Sequence, residues 1–129
     1  MQRRNAGRLA QEGIDLSVYV LLDPRHSRRR PLDWLANEAL AGGATAIQLH
    51  LKDATAREWL RWCATLLPMC RRAGAALVVN DRVDIAAAAG ADGVHLGQDD
   101  LPAAAARAIL GPRPVIGVST DTLDEIRQA

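Results

Sequence analysis

The chain has 129 residues, 49% of them apolar, and a formal charge of +1 at neutral pH. The nearly neutral charge argues against a protein that binds polyanions, and no apolar run is long enough to span a membrane. The composition therefore predicts one globular unit. The basic opening, residues 1–8, is not followed by an apolar stretch, which argues against a secretory signal. We expect residues 1–16 to be a disordered lead-in and residues 17–129 to form one domain.

Five apolar runs alternate with five segments of helical periodicity. The predicted strands cover residues 17–22, 45–50, 76–79, 93–96 and 115–118. The predicted helices cover residues 31–41, 55–73, 82–89 and 102–110, and a fifth starts at residue 122. Capping boxes begin the helices at Thr55 and Thr122, and Pro68 is expected to kink the end of the second helix. The three tryptophans, Trp34, Trp59 and Trp62, have core spacing and are expected to pack against the sheet.

The order of these elements predicts a parallel α/β sheet, because right-handed crossovers join successive strands. The alternation of five strands with helices does not by itself distinguish a doubly wound sheet from part of a (β/α)₈ barrel. Cys63 and Cys70 lie in one predicted helix with a rise between them of roughly 10 Å, which exceeds the reach of a disulfide. We therefore expect free thiols and a cytoplasmic location.

Polar residues follow every predicted strand, and parallel strands bring these residues to one rim, where α/β proteins place their active sites. Asn80 and Asp81 follow the third strand, and Asp99 and Asp100 follow the fourth. Carboxylates and an amide at neighbouring strand ends suit Mg²⁺, which leaves ligand positions for substrate phosphates. The alternative, which is commoner for aspartates in this position, is that Asp81 and Asp100 only cap the helices that follow.

Gln48, His50 and Lys52 alternate along the second strand and would share one of its faces. If that face is buried, these side chains need a partner, and a bound anion would serve. The alternative is an exposed edge strand with one solvated face. Lys52 is the only lysine in an arginine-rich chain, and a compact ammonium is not interchangeable with a guanidinium.

Two weaker signals lie further along the chain. His95 stands between two glycines in the fourth strand, where a histidine is more often structural than catalytic. Residues 117–121 could offer backbone N–H groups and hydroxyls to a phosphate, although they also suit an ordinary helix start. The arginine cluster at residues 28–30 has no interleaved aromatic residues, so no nucleic-acid partner is expected.

Five segments together resemble the thiamine phosphate synthase family in their order and spacing. They are the segments 19–24, 46–52, 78–84, 91–102 and 116–119, and the resemblance covers roughly residues 17–129. The second and fourth contain Gln-Leu-His-Leu-Lys and Gly-Val-His-Leu-Gly-Gln-Asp-Asp, and the third contains Asn-Asp-Arg. The resemblance implies a (β/α)₈ barrel that uses Mg²⁺, joins hydroxymethylpyrimidine diphosphate to a thiazole phosphate and releases pyrophosphate.

The resemblance also implies a role for each matching residue. Asp81 and Asp100 would be the Mg²⁺ ligands. Lys52 and Ser119 would be the catalytic residues, both in contact with the diphosphate. The remaining substrate-binding residues would be Tyr19, Gln48, His50, Asn80 and His95, with Tyr19 and His95 lining the pyrimidine pocket.

Two features depart from the family pattern. His50 stands where the family motif Gln-x-Arg-x-Lys has its arginine, which would make diphosphate binding weaker or pH-dependent. The sequence also stops after the fifth strand, whereas a (β/α)₈ barrel needs about 200 residues or more. We expect an incomplete barrel that can self-associate through open sheet edges. A thiazole tautomerase-like isomerase and a non-catalytic half-barrel that binds a phosphorylated ligand are the alternatives.

Overall fold

The computed structural model describes residues 13–129, so most of the expected lead-in, residues 1–16, lies outside the described part of the chain. The five strands are β1 Tyr19–Leu22, β2 Ala46–Leu49, β3 Ala76–Asn80, β4 Gly93–Leu96 and β5 Val115–Val118. The helices are α1 Leu32–Ala41, α2 Ala56–Ala73, α3 Val83–Ala89, α4 Ala103–Leu110 and α5 Leu123–Gln128. A short 3₁₀ turn, Pro24–His26, follows β1 and is absent from the sequence-based prediction.

The strands form one parallel sheet in the order β1-β2-β3-β4-β5. Consecutive helices from α1 to α4 pack against each other. This is expected because every strand-to-strand crossover is right-handed, which places all these helices on the same face of the sheet. A doubly wound sheet would instead reverse its strand order. The sheet is therefore an arc of a (β/α) barrel, and β1 and β5 do not pair with each other within residues 13–129.

The hydrophobic core lies between the helices and one face of this sheet. Ile47, Leu49, Leu77, Val79 and Leu96 are fully buried there, and burial of each such side chain contributes about 1.5–3 kcal/mol. The opposite face of the sheet carries every second residue of the same strands. Those alternate positions include Tyr19, Gln48, Asn80 and His95.

Helix α2 covers much of the core side of the sheet. Its first turn has the predicted capping box between Thr55 and Glu58, and Gly74 ends it with a φ of 70°. Pro68 lies inside α2, which continues to Ala73. Cys63 and Cys70 are free, as predicted, and they are also buried. Burial raises their thiol pKa values to about 11 and about 12.

The tryptophans do not all pack as expected. Trp59 is buried and Trp62 packs against the core. The prediction for Trp34 was wrong, because 44% of its surface is exposed and its ring lies 5.0 Å from the guanidinium carbon of Arg30. No helix between residues 13 and 129 combines the length and apolarity needed to cross a membrane.

Candidate active site

The polar residues that follow the strands meet at one rim, as the parallel sheet predicts. Three backbone hydrogen bonds extend the sheet just beyond its strands: His50 N–H to Leu22 O at 2.9 Å, Asp81 N–H to His95 O at 2.8 Å and Ser119 N–H to Leu96 O at 2.9 Å. These bonds tie the first loop residue after β2, β3 and β5 to the neighbouring strand. The side chains at the rim therefore start from fixed backbone positions.

A cleft of about 530 Å³ opens at this rim between the loops that follow β1, β2 and β3. Its walls are predominantly polar, and basic side chains outnumber acidic ones. The lining residues are Arg25, His50, Leu51, Lys52, Asp53, Ala54, Trp59, Asn80, Asp81 and Arg82. Four of the predicted site residues thus share one cleft, namely His50, Lys52, Asn80 and Asp81.

Asp81 and Asp100 are brought together, although α3 and β4 separate them in the chain. Burial raises the pKa of Asp81, and the adjacent carboxyl of Asp100 raises it further, while nearby His50 and Asn80 oppose the shift. Asp100 also accepts a hydrogen bond from Gly97 N–H at 2.7 Å. Two carboxyl groups this close are a site where a cation would be electrostatically favoured.

The capping alternative for these two aspartates is wrong. Helix α3 has Arg82 as its N-cap and α4 has Pro102, and neither N-cap makes a side-chain capping hydrogen bond. Asp81 instead adopts a φ of 61°, a left-handed conformation that non-glycine residues rarely take. This turn directs the chain into α3 and leaves the Asp81 side chain on the cleft wall.

Gln48 is buried and its Nε2 donates a hydrogen bond to the Tyr19 hydroxyl at 2.8 Å. Burial raises the pKa of Tyr19, and the Gln48 contact partly opposes that shift. The exposed-edge alternative for this strand is wrong, because β2 pairs with both β1 and β3. Neither Tyr19 nor Gln48 lines the cleft. Both lie on the same sheet but outside the cleft.

His95 and Ser119 form a second polar pair at the ends of β4 and β5. The His95 Nε2 and Ser119 Oγ atoms are 2.9 Å apart, and Gln98 Nε2 donates to Ser119 O at 2.6 Å. A Cβ atom at Gly117 would lie 2.6 Å from His95 Nδ1. Only glycine at position 117 leaves room for the imidazole in this orientation.

Residues 117–121 do not themselves begin the last helix. The N-cap of α5 is Thr122, whose side chain accepts a hydrogen bond from Glu125 N–H in the predicted capping box. Ser119 is therefore free of a capping role, and its hydroxyl is oriented by His95 instead.

Sequence reasoning placed Asp23 at the rim only as a strand-end residue with no role in the site, and it missed Arg25. Arg25 lines the cleft, and Asp23 contacts both Arg25 and His50. Arg25 was hard to single out because arginine is abundant in this chain. The available signal was Asp-Pro-Arg directly after an apolar strand, a pattern that favours an aspartate-capped turn.

Comparisons with known proteins identify the family. Residues 18–129 match the family model described as thiamine monophosphate synthase. A thiamine-phosphate synthase of Chlorobium phaeovibrioides is 57% identical over 73% of this chain and 45% of its own length, and one of Roseiflexus castenholzii is 50% identical over 87% and 49%. A solved structure of thiamine phosphate pyrophosphorylase from Pyrococcus furiosus superimposes with a TM-score of 0.77 at 43% identity, covering 85% of this chain and 52% of that one.

The chain spans about half the length of the curated relatives it matches. Over that span, the open parallel sheet and the family motifs coincide with the matched region. The chain belongs to the thiamine monophosphate synthase family.

Proposed function

We propose that these residues carry the pyrimidine-diphosphate and Mg²⁺ part of a thiamine phosphate synthase, which joins hydroxymethylpyrimidine diphosphate to thiazole phosphate and releases pyrophosphate. The observation that supports this most directly is the Asp81–Asp100 carboxyl pair beside a cleft lined by Arg25 and Lys52. The names of the matched relatives support the same reaction. They give no support to the isomerase alternative.

The two carboxylates fit Mg²⁺ better than they fit a metal that needs a full protein cage. Among residues 13–129, no group of three or more histidine, cysteine, aspartate or glutamate side chains is arranged to hold a metal ion. Mg²⁺ is commonly bound through one or two carboxylates together with water and substrate phosphates. Asp81 and Asp100 would hold it, and their mutual repulsion would fall on binding. Bound Mg²⁺ supplies electrostatic stabilisation of the departing pyrophosphate.

The protein residues then act on the same leaving group. Departure of pyrophosphate leaves a pyrimidine-stabilised carbocation, so the reaction needs stabilisation of negative charge more than it needs a nucleophile. Lys52 lies on the cleft wall, where its ammonium can neutralise the diphosphate. Asn80, beside Asp81, offers an amide N–H, and Ser119 offers a hydroxyl that His95 orients.

Tyr19, Gln48 and His95 lie on the sheet face that is not covered by helices, below the rim. In this proposal they form the side that receives the pyrimidine ring. Their hydrogen bonds to one another or to Ser119 fix their orientation before substrate arrives. A cytosolic location belongs to the proposal and is supported by the two free thiols.

Calorimetric titration with inorganic pyrophosphate, with and without Mg²⁺, tests the proposal. We expect binding that depends on Mg²⁺ and is lost in Asp81→Ala. Asp124→Ala is the matched control, because Asp124 is exposed on α5 and, within residues 13–129, its ion pair is with Arg127. Metal-independent affinity that is unchanged in Asp81→Ala would contradict the proposal.

A further inference from the structure

Asp23 and Arg25, which follow β1, form a cluster with His50, which follows β2. Asp23 caps the 3₁₀ turn by accepting a hydrogen bond from Arg25 N–H at 2.8 Å. The Arg25 side chain folds back on the same carboxylate, with Nε 3.0 Å from Oδ2 and the terminal nitrogen Nη2 also bonded to Oδ2. Asp23 thus holds one whole edge of the Arg25 guanidinium.

The same carboxylate also holds the imidazole of His50. His50 Nδ1 lies 2.8 Å from Asp23 Oδ2. An ionised carboxylate only accepts hydrogen bonds, so Nδ1 carries a proton and donates it to Asp23. Nη2 of Arg25 is 3.3 Å from this Nδ1, which places the guanidinium and the imidazole side by side.

This arrangement leaves part of Arg25 available to a ligand. A guanidinium has five N–H donors in a fixed fork, and Asp23 occupies only those along the Nε–Nη2 edge. Arg25 lines the cleft with 47% of its side chain exposed, whereas the Asp23 side chain is 10% exposed and does not line the cleft. A ligand in the cleft therefore meets the cation before it meets the carboxylate that holds it.

Arg25 differs from the other guanidinium on the cleft wall, that of Arg82, in its neighbours. Arg82 is already paired with Asp84 through Nε at 2.9 Å and Nη2 at 2.6 Å. The acidic groups on the wall are Asp81 and Asp53, and the latter lies near enough to Arg25 to act on it electrostatically. Arg25 is the guanidinium of this wall that approaches His50.

We propose that Arg25 is a further anion-binding residue of this cleft, that it binds a diphosphate oxygen through the N–H groups left free by Asp23, and that Asp23 is its positioning residue. The identity of the anion rests on the proposed function. Fork geometry suits the planar recognition of phosphoryl oxygens. Asp23 acts through Arg25 and His50 and does not itself touch the ligand.

The test is calorimetric titration of the 129-residue chain with inorganic pyrophosphate in the presence of Mg²⁺. We expect Arg25→Ala to weaken binding by about tenfold, since a charge-assisted hydrogen bond is lost. Arg25→Lys should recover only part of the affinity, because an ammonium cannot reproduce the fork. Arg72→Ala is the matched control, since Arg72 is exposed near the end of α2 and does not line the cleft.

A double-mutant cycle separates positioning from a general structural effect. Asp23→Asn should weaken binding severalfold in the wild-type chain and have a clearly smaller effect when Arg25→Ala is present, because only its contact with His50 then remains to be lost. An effect of Asp23→Asn of the same size in both backgrounds would overturn the positioning role.

Asp81→Ala distinguishes failure of this inference from failure of the proposed function. Arg25→Ala that binds within twofold of wild type, while Asp81→Ala loses Mg²⁺-dependent affinity, would overturn the inference and leave the function standing. A wild-type chain that does not bind pyrophosphate with Mg²⁺ at all would overturn both. Thermal unfolding of each variant establishes that the fold is retained.

Discussion

Asp81 combines two features that are unfavourable for an isolated aspartate. Its φ of 61° carries a cost of about 1–3 kcal/mol for a non-glycine residue, and its pKa is raised by burial and by the carboxyl of Asp100. The backbone hydrogen bonds to His95 O and from Val83 N–H hold the residue in this conformation. Unfavourable local energy at one residue is typical of functional sites, which supports the proposal that Asp81 and Asp100 hold a cation.

Replacing Asp81 by asparagine should separate stability from binding. Asparagine tolerates the left-handed region and removes the repulsion with Asp100. We expect the free energy of unfolding in urea to stay level or rise by up to about 1 kcal/mol, while Mg²⁺-dependent pyrophosphate binding is lost. Asp124→Asn, on exposed α5, should change neither quantity. A clear loss of stability in Asp81→Asn would show that the carboxylate has a structural partner in the free protein.

Replacing Asp23 by asparagine should lower the stability of the fold, in contrast to the same replacement at Asp81. The Arg25 guanidinium holds its pKa well below the usual range, with His50 contributing to the same shift. A depressed carboxyl pKa contributes stability that is present above the unfolded value, about 3.9, and is lost as pH falls through the folded value. We expect Asp23→Asn to be destabilised relative to wild type at pH 7 and the difference to shrink below about pH 4. Urea unfolding at several pH values measures this, and a difference that is independent of pH would contradict it.

His50→Arg tests whether the arginine of the family motif can replace the imidazole at this position. A guanidinium offers more N–H donors than an imidazole and is always charged, so His50→Arg should bind pyrophosphate at least as well as wild type. Calorimetry at neutral pH provides the measurement. If His50→Arg abolishes binding, the hydrogen bond from Nδ1 to Asp23 has a specific role that a guanidinium cannot take over.

At the scale of the elements, β4 and β5 approach closely because both contain a glycine at the contact. A Cβ at Gly93 would lie 2.6 Å from Val115 O, and one at Gly117 would lie 2.6 Å from His95 Nδ1. The glycine on β5 thus makes room for the side chain that orients Ser119. Strand packing and site geometry depend on the same positions.

Gly117→Ala should displace the His95 ring and break its contact with Ser119. We expect a loss of about 1–3 kcal/mol in stability from overpacking and weaker pyrophosphate binding. The matched background is His95→Ala, because all three atoms nearest to the added Cβ belong to the His95 ring. In that background Gly117→Ala should be nearly neutral. An equal cost in both backgrounds would place the strain in the backbone instead.

Local patterns predicted most of these elements. The residues of β4 and β5 agree with the prediction, as do both capping boxes, because strand and helix-start signals are short-range. Parallel topology raised the approach of Asp81 to Asp100 as one possibility beside the commoner capping role, and the family resemblance favoured it. The Asp23–His50 contact joins residues 27 positions apart, and nothing in either local segment indicates it. The 3₁₀ turn that carries Arg25 was also missed, although Asp-Pro-Arg after an apolar strand is a local signal for it.

At the scale of the whole molecule, the sheet is open. Within residues 13–129, β1 and β5 each pair on one side only, so both present unpaired backbone groups that favour association with another chain. Apolar side chains are exposed nearby: Leu21 on β1 is 59% exposed, and Leu123 and Ile126 on α5 are 71% and 58% exposed. Every residue of β5 is only partly buried.

A protein limited to these 129 residues should therefore self-associate and show no appreciable synthase turnover. Open edges and exposed apolar surface lower the free energy of association. Sedimentation at several concentrations should give a mass that rises with concentration, and a parallel assay should detect no thiamine phosphate. Leu21→Lys should reduce association, because a charged side chain on an edge strand opposes pairing with another chain, whereas Arg72→Ala, on the exposed side of α2, should not. A compact monomer at all concentrations that turns over both substrates would show that five β/α units suffice for the reaction. It would also show that the open face and edges of the sheet do not drive association with another chain.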